Sequence, residues 1–101
     1  MRVIVFFDLP TVTASDRREY ARFRKFLIKD GFMMLQESVY AKLSLNQTQT
    51  EQIISGVLKK RPPKGLVQIL SVTEKQFSKM EISCGNGNTD VICSDERLLI
   101  I

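Results

Sequence analysis

A chain of 101 residues with 44% hydrophobic and 26% charged residues has the composition of one globular domain, which excludes a disordered or fibrous protein. Lysine and arginine number 15 against 11 acidic residues, and the resulting net charge of +4 is typical of proteins that bind phosphate backbones when it gathers on one face. The sequence contains no histidine, which excludes histidine-based ribonuclease chemistry, a Ser-His-Asp triad and histidine-ligated metals.

The first residues predict a buried central strand. The run RVIVFF, residues 2–7, is β-branched and aromatic and ends at Asp8 and Pro10. It is too short for the core of a signal peptide, and no window is long enough for a membrane helix, so we expect a cytoplasmic protein. Asp8 itself has two interpretations: a metal-binding carboxylate at a strand end, or a residue that caps the following turn.

A helix is predicted next, from about Asp16 to Lys29. Its N-cap is one of Thr11, Thr13 or Ser15, and Gly31 follows its end. Asp16 lies in the first turn, where a carboxylate complements the helix dipole.

The two faces of this helix differ in chemistry. Apolar side chains at Tyr20, Phe23 and Leu27 lie within about 60° of one another and predict the core face. The opposite face carries cations at spacing i, i+4, i+7, i+11 with no acidic partners at that spacing, so we predict that it binds a nucleic-acid backbone rather than being only a solvated surface. This basic stripe comprises Arg18, Arg22, Lys25 and Lys29, with Arg17 and Arg24 beside it. Of these two neighbours, Arg17 is also predicted to contact the nucleic acid.

Residues 32–45 predict either two strands with a tight turn or one long bulged strand. Asn46 then caps a second helix that ends at Pro62-Pro63, and residues 66–72 predict another buried strand. The apolar face of the second helix comprises Ile53, Ile54, Val57 and Leu58. Cations at its end either complement the helix dipole or form a second basic patch, and they are Lys59, Lys60, Arg61 and Lys64.

This order of elements predicts an α+β, ferredoxin-like βαββαβ fold with helices on one face of an antiparallel sheet. We expect a single domain over residues 1–101, with a core at about 1–73 and a C-terminal β extension at about 74–101 that starts with one helical turn. The uncovered sheet face and the apolar end Leu98–Ile101 predict a homodimer. Cys84 and Cys93 are expected to be free thiols in a reducing cytosol, although a disulfide between them is geometrically conceivable.

A homodimer also changes what Asp8 can do. Mg²⁺ takes one or two carboxylates together with waters and phosphates, and two copies of Asp8 at a two-fold axis would supply two carboxylates. No glycine-rich nucleotide loop occurs, so nucleotide-cofactor chemistry is not expected.

Three segments together resemble the CRISPR-associated protein 2 family: VFFDLP at 5–10, YARFRKFLIKDGF at 20–32 and QESVYAKL at 36–43. The segment VTEKQF at 72–77 is similar to members from type II systems. The resemblance implies a ferredoxin-like homodimer that binds duplex prespacer DNA and bridges dimers of the CRISPR-associated protein 1 integrase, with other type II adaptation proteins as further partners.

The resemblance also implies that Asp8 binds Mg²⁺ across the two-fold axis. Because family members are described both as metal-dependent nucleases and as non-catalytic scaffolds, two functions stay open: a DNA-binding scaffold, which we favour, and a magnesium-dependent endonuclease with Asp8 as its catalytic residue. A ferredoxin-like module that binds a small ligand is a third function, but it leaves the basic stripe unexplained.

Overall fold

The computed structural model describes residues 1–83, and within them the chain forms one sheet of four strands and three helices. The elements are β1 (Arg2–Asp8), α1 (Ala14–Lys29), β2 (Met33–Gln36), β3 (Val39–Leu43), α2 (Gln47–Lys60), β4 (Leu66–Val72) and α3 (Glu74–Ser78). The sheet is antiparallel with strand order β2-β3-β1-β4, which confirms the ferredoxin-like arrangement. The predicted hairpin after α3, both cysteines and Leu98–Ile101 lie outside the described residues. No helix within residues 1–83 is long and apolar enough to cross a membrane.

Strand β1 is the buried centre of the sheet, as predicted. It pairs with β3 on one side and with β4 on the other, and most of its residues are buried. Because successive side chains of a strand point to opposite faces, Val3, Val5 and Phe7 face α1 and α2, whereas Ile4 and Phe6 face the other side.

The main core lies between this first face and the two long helices. Phe23 and Leu27 of α1 are buried, which confirms the predicted core face, and Tyr20 packs at its edge. The Phe7 ring meets Phe23 edge-on with 5.2 Å between ring centroids, and it stacks on Tyr40 at 5.7 Å. Burial of each such side chain stabilises the fold by roughly 1.5–3 kcal/mol, so α1 is held firmly in one rotation about its axis.

Helix α1 begins at Ala14, two residues before the predicted start. Thr13 is its N-cap: the Thr13 hydroxyl accepts from the backbone N–H of Asp16 at 3.0 Å, and the Asp16 carboxylate accepts from the Thr13 backbone N–H at 3.1 Å. This reciprocal capping box satisfies two donors that the helix would otherwise leave free. The Thr13 N–H is the largest cause that lowers the pKa of Asp16 below its ordinary value.

The chain between Met33 and Leu43 combines both predicted alternatives. It forms a hairpin whose strands β2 and β3 are joined by a turn at residues 37–38, and the register shifts between Met34 and Gln36. A shift of this kind is a β-bulge, which accounts for the broken alternation in the sequence.

One prediction about the second sheet face was wrong. Strand β4 is not buried, because it is an edge strand that pairs only with β1, and Leu66 and Leu70 are about half exposed. Helices α1 and α2 lie on the first face as predicted, whereas α3, in the predicted C-terminal extension, lies on the second. The Phe77 side chain of α3 packs with Ile4 and Ala41 on the second face, where the Arg2 side chain donates to the Glu74 carboxylate at 2.9 and 3.1 Å. Helix α3 therefore covers only the Arg2 end of that face.

Candidate nucleic-acid interface and carboxylate site

The basic stripe lies on the solvent face of α1. Because Phe23 and Leu27 hold the other face against the sheet, the four stripe cations cannot turn inward, and all four residues are exposed. The four side chains project within about 60° around the helix axis. The four residues of the stripe are Arg18, Arg22, Lys25 and Lys29.

One member of the stripe has an acidic neighbour that lies outside the spacing of the stripe itself. The Arg22 guanidinium lies 3.4 Å from the Glu19 carboxylate, three residues earlier on the helix. The Arg22 side chain remains 73% exposed, and an exposed pair of this kind contributes only about 0–1 kcal/mol. Glu19 therefore does not prevent Arg22 from exchanging its carboxylate partner for a phosphate. Within residues 1–83, Arg18, Lys25 and Lys29 form no ion pair.

Arg17, which we also predicted to contact nucleic acid, lies about 100° around the helix from Arg18. Its guanidinium donates to the backbone carbonyls of Thr11 at 3.3 Å and of Val12 at 3.0 Å. These bonds tie the loop between β1 and α1 to the first turn of the helix.

The second basic patch, at the end of α2, lies beside carboxylates. Lys64 and Pro63 line a cleft together with Asp16 and Glu19 of α1, and the charge of Lys64 contributes to the lowered pKa of Asp16. Lys59 and Arg61 line a groove that also includes Glu51. Local carboxylates offset part of the positive potential there, whereas in the basic stripe only Arg22 lies beside a carboxylate, so the stripe offers the more favourable surface for a polyanion.

Asp8 is the exposed last residue of β1 and pairs with Leu66 of β4. By strand alternation its side chain shares the sheet face of Ile4 and Phe6, away from α1 and α2. Within residues 1–83 the Asp8 carboxylate accepts no hydrogen bond and forms no ion pair, and no group of three or more Cys, Asp or Glu residues there could hold a metal ion. A single copy of the described chain therefore supplies one carboxylate ligand at this position, the lower end of the one or two that Mg²⁺ usually takes together with waters and phosphates.

One interaction was not predicted as part of any site. Arg24 of α1 donates its Nε–H to the phenolic oxygen of Tyr40 in β3 at 2.8 Å, and the Tyr40 residue is fully buried. This bond raises the pKa of Arg24 above its ordinary value. No local sequence signal predicts the pair, because its members lie 16 residues apart and meet only when α1 packs on the sheet.

Comparison with known proteins agrees with this geometry. The family model described as CRISPR associated protein Cas2 matches residues 1–80. The chain belongs to the Cas2 family. It is 54% identical to the CRISPR-associated endoribonuclease Cas2 of Treponema denticola over 101 residues, the whole of both chains. The protein of the same name from Streptococcus mutans serotype c is 45% identical over 101 residues, covering all of this chain and 93% of the relative.

The Cas2 fold is also seen in a solved structure. The crystal structure of Streptococcus pyogenes Cas2 at pH 6.5 superposes with a TM-score of 0.63 at 18% identity, covering 82% of this chain and 99% of that one. The resemblance drawn from the three sequence segments is confirmed at the level of family and fold.

Proposed function

We propose that this Cas2-family protein is a homodimeric scaffold of spacer acquisition that binds duplex prespacer DNA and bridges dimers of the CRISPR-associated protein 1 integrase. The observation that carries the proposal is the basic stripe, whose four cations are exposed and fixed outward by the buried face of α1. Type II adaptation proteins are further proposed partners.

The dimensions of the stripe suit a phosphate backbone. Arg18 and Lys29 are 11 residues apart, so the stripe is about 16 Å long at 1.5 Å per residue. One DNA strand presents a phosphate about every 3.4 Å along the duplex axis, so this length faces roughly five phosphate steps. Four cations on that length can neutralise several phosphates without reading bases, as expected of a protein that accepts prespacers of varied sequence.

The second sheet face supports the homodimer. Large apolar side chains remain exposed there beyond the area that α3 covers: Phe6 is 36% exposed, Leu66 53% and Leu70 51%. A second copy is the proposed cover, because an isologous contact would bury the same side chains of both chains at once.

The proposal is tested with a CRISPR-associated protein 1 integrase. The two proteins should co-purify, the complex should bind duplex DNA, and cells that carry Arg18→Gln with Lys25→Gln should acquire fewer spacers although the dimer still forms. A matched control, Lys75→Gln with Lys79→Gln, removes the same charge from α3 and the residue that follows it, where we propose no DNA contact. Normal acquisition in the stripe variant would refute the DNA-binding role.

A magnesium-dependent endonuclease is the second candidate, and exposed Asp8 on the proposed dimer face is the observation that favours it. The relatives from Treponema denticola and Streptococcus mutans bear the name endoribonuclease. In a dimer, Asp8 of each copy would hold the ion, and bound Mg²⁺ supplies a polarised phosphate and an activated water.

The substitution Asp8→Asn distinguishes the two functions because it removes ligand charge with little change in volume. We expect any magnesium-dependent cleavage of RNA or DNA to be abolished while the dimer and spacer acquisition persist. Cleavage at the wild-type rate would remove Asp8 from the site, and failure of acquisition in a folded dimer would contradict the pure scaffold. Isothermal titration with Mg²⁺ gives a readout that does not depend on cleavage.

A further inference from the structure

The arginines at the start of β1 and on α1 differ in how their guanidinium groups are used. Arg2 donates twice to the Glu74 carboxylate, Arg17 donates to two loop carbonyls, and Arg22 pairs with Glu19. Arg18 has no partner within residues 1–83 that would fix its rotamer. These guanidinium groups are thus either paired or free to move, and Arg24 fits neither pattern.

The Nε–H of Arg24 is hydrogen-bonded, whereas its two terminal guanidinium nitrogens are available to a ligand. Its Nε–H is fixed on the buried Tyr40 hydroxyl at 2.8 Å, yet the residue is exposed and its terminal nitrogens have no bonded partner within residues 1–83. Glu37 acts on Arg24 only through its charge, without an ion pair. The fork of terminal N–H groups therefore stays open and its direction is set by a rigid phenol, which is itself stacked on Phe7.

We propose that Arg24 is a preorganised anchor for one phosphodiester of the bound DNA, and that Tyr40 is its positioning residue. This inference rests on the proposed function and deepens it. Arg24 lies next to Lys25 in sequence and about 100° from it around α1, toward the β2–β3 turn, where the Tyr20 hydroxyl donates to the Glu37 carbonyl at 3.3 Å. The DNA contact thus extends from the basic stripe toward that turn.

A phosphodiester is the ligand that this geometry favours. Terminal guanidinium nitrogens match two oxygens of a phosphate or carboxylate in parallel, and the neighbouring cations of the stripe favour a polyanion over an isolated carboxylate. Since Tyr40 already restrains the side chain, binding costs less conformational entropy here than at mobile Arg18 or at a lysine.

The test is a salt series of duplex DNA binding with the full chain, including four variants: Arg24→Gln, Arg24→Lys, Tyr40→Phe and the double substitution Arg24→Gln with Tyr40→Phe. We expect Arg24→Gln to weaken binding roughly tenfold and to lower the slope of log affinity against log salt by about 0.9 for each phosphate that the side chain no longer neutralises. Lys75→Gln in α3 is the charge-matched control and should leave the slope near the wild-type value.

Two variants separate positioning from charge. Tyr40→Phe keeps the cation, so the slope should hold while affinity falls roughly fivefold. Arg24→Lys should behave in the same way and does not disturb the core, which covers the case in which Tyr40→Phe fails to fold. In the Arg24→Gln background, Tyr40→Phe should have no further effect on affinity.

The outcomes also separate this inference from the proposed function. Wild-type affinity and slope in folded Arg24→Gln, with the stripe variant still impaired, would overturn the anchor alone. Absence of DNA binding by the wild-type dimer and its integrase complex would overturn both. If Arg24→Gln bound DNA normally but no longer co-purified with the integrase, Arg24 would belong to a protein contact and the anchor would be wrong.

Discussion

Neutralising the basic stripe should change the salt dependence of DNA binding by an amount that the structure sets. Arg18 and Lys25 are the positions to change, because both are exposed and neither forms an ion pair within residues 1–83, so their charge is free to meet phosphate. Each phosphate contact contributes about 0.9 to the slope of log affinity against log salt. Arg18→Gln with Lys25→Gln should therefore lower the slope by about 1.8 for one copy of the stripe.

The change in slope can be measured as a change in how far affinity falls between two salt concentrations. Between roughly 50 and 200 mM salt, a fourfold change, a slope difference of about 1.8 makes the variant's fall in affinity about 12-fold smaller than that of the wild type. Fluorescence anisotropy with a labelled duplex measures both slopes, and several unrelated sequences should give the same change because phosphate contacts carry no sequence information.

A matched control removes two charges from the second basic patch by Lys59→Gln with Lys60→Gln. We expect this control to retain a slope near that of the wild type. If the stripe variant keeps the wild-type slope and the control has a reduced one, the stripe is only a solvated face and the DNA site lies at the end of α2. Circular dichroism and light scattering should show that both variants remain folded dimers.

Three further predictions concern dimerisation and stability. Leu70→Glu on the open sheet face should shift the light-scattering mass toward the monomer's 11.6 kDa. Leu45→Glu, at an 81% exposed loop position, is the control and should leave the dimer intact. If both variants remained dimers, the interface would lie elsewhere. Thr13→Ala should cost about 1 kcal/mol of unfolding free energy in chemical denaturation, because the hydroxyl cap is lost, and an unchanged free energy would contradict that cap. The variant keeps the Thr13 backbone N–H that most lowers the pKa of Asp16, so NMR titration should still find this pKa below its ordinary value of 3.8; the stability from this shift is present above 3.8 and is lost as pH falls through the lowered value. Leu27→Ala should cost roughly 2–5 kcal/mol in chemical denaturation, and a cost under about 1 kcal/mol would mean that α1 is not held on the sheet.

Local patterns in the sequence predicted most of the fold. The period of α1, the Asn46 cap of α2 and the apolar run of β1 each depend on residues within a few positions of one another, and the structure confirms all three. The exposure of the basic stripe also followed from local spacing, because a helix that buries one face must present the opposite face to solvent.

Features that depend on strand order could not be predicted in the same way. Leu66 and Leu70 belong to an apolar run whose composition is typical of a buried strand. They are exposed only because β4 lies at the edge of the sheet. Helix α3 likewise has the sequence pattern of a single turn, and its cover of the second face depends on Arg2 meeting Glu74 across 72 residues.

The features of the candidate site likewise differ in whether they depend on one element or on several. The residue types along α1 and the position of Asp8 at a strand end could be predicted, because each is a property of one local element. The hydrogen bond from Arg24 to the Tyr40 hydroxyl and the open sheet face beside Asp8 could not, because they arise only when separate elements pack together. Contacts of this kind depend on how α1 and the strands pack together, and that packing is fixed by burial of side chains from many distant positions at once.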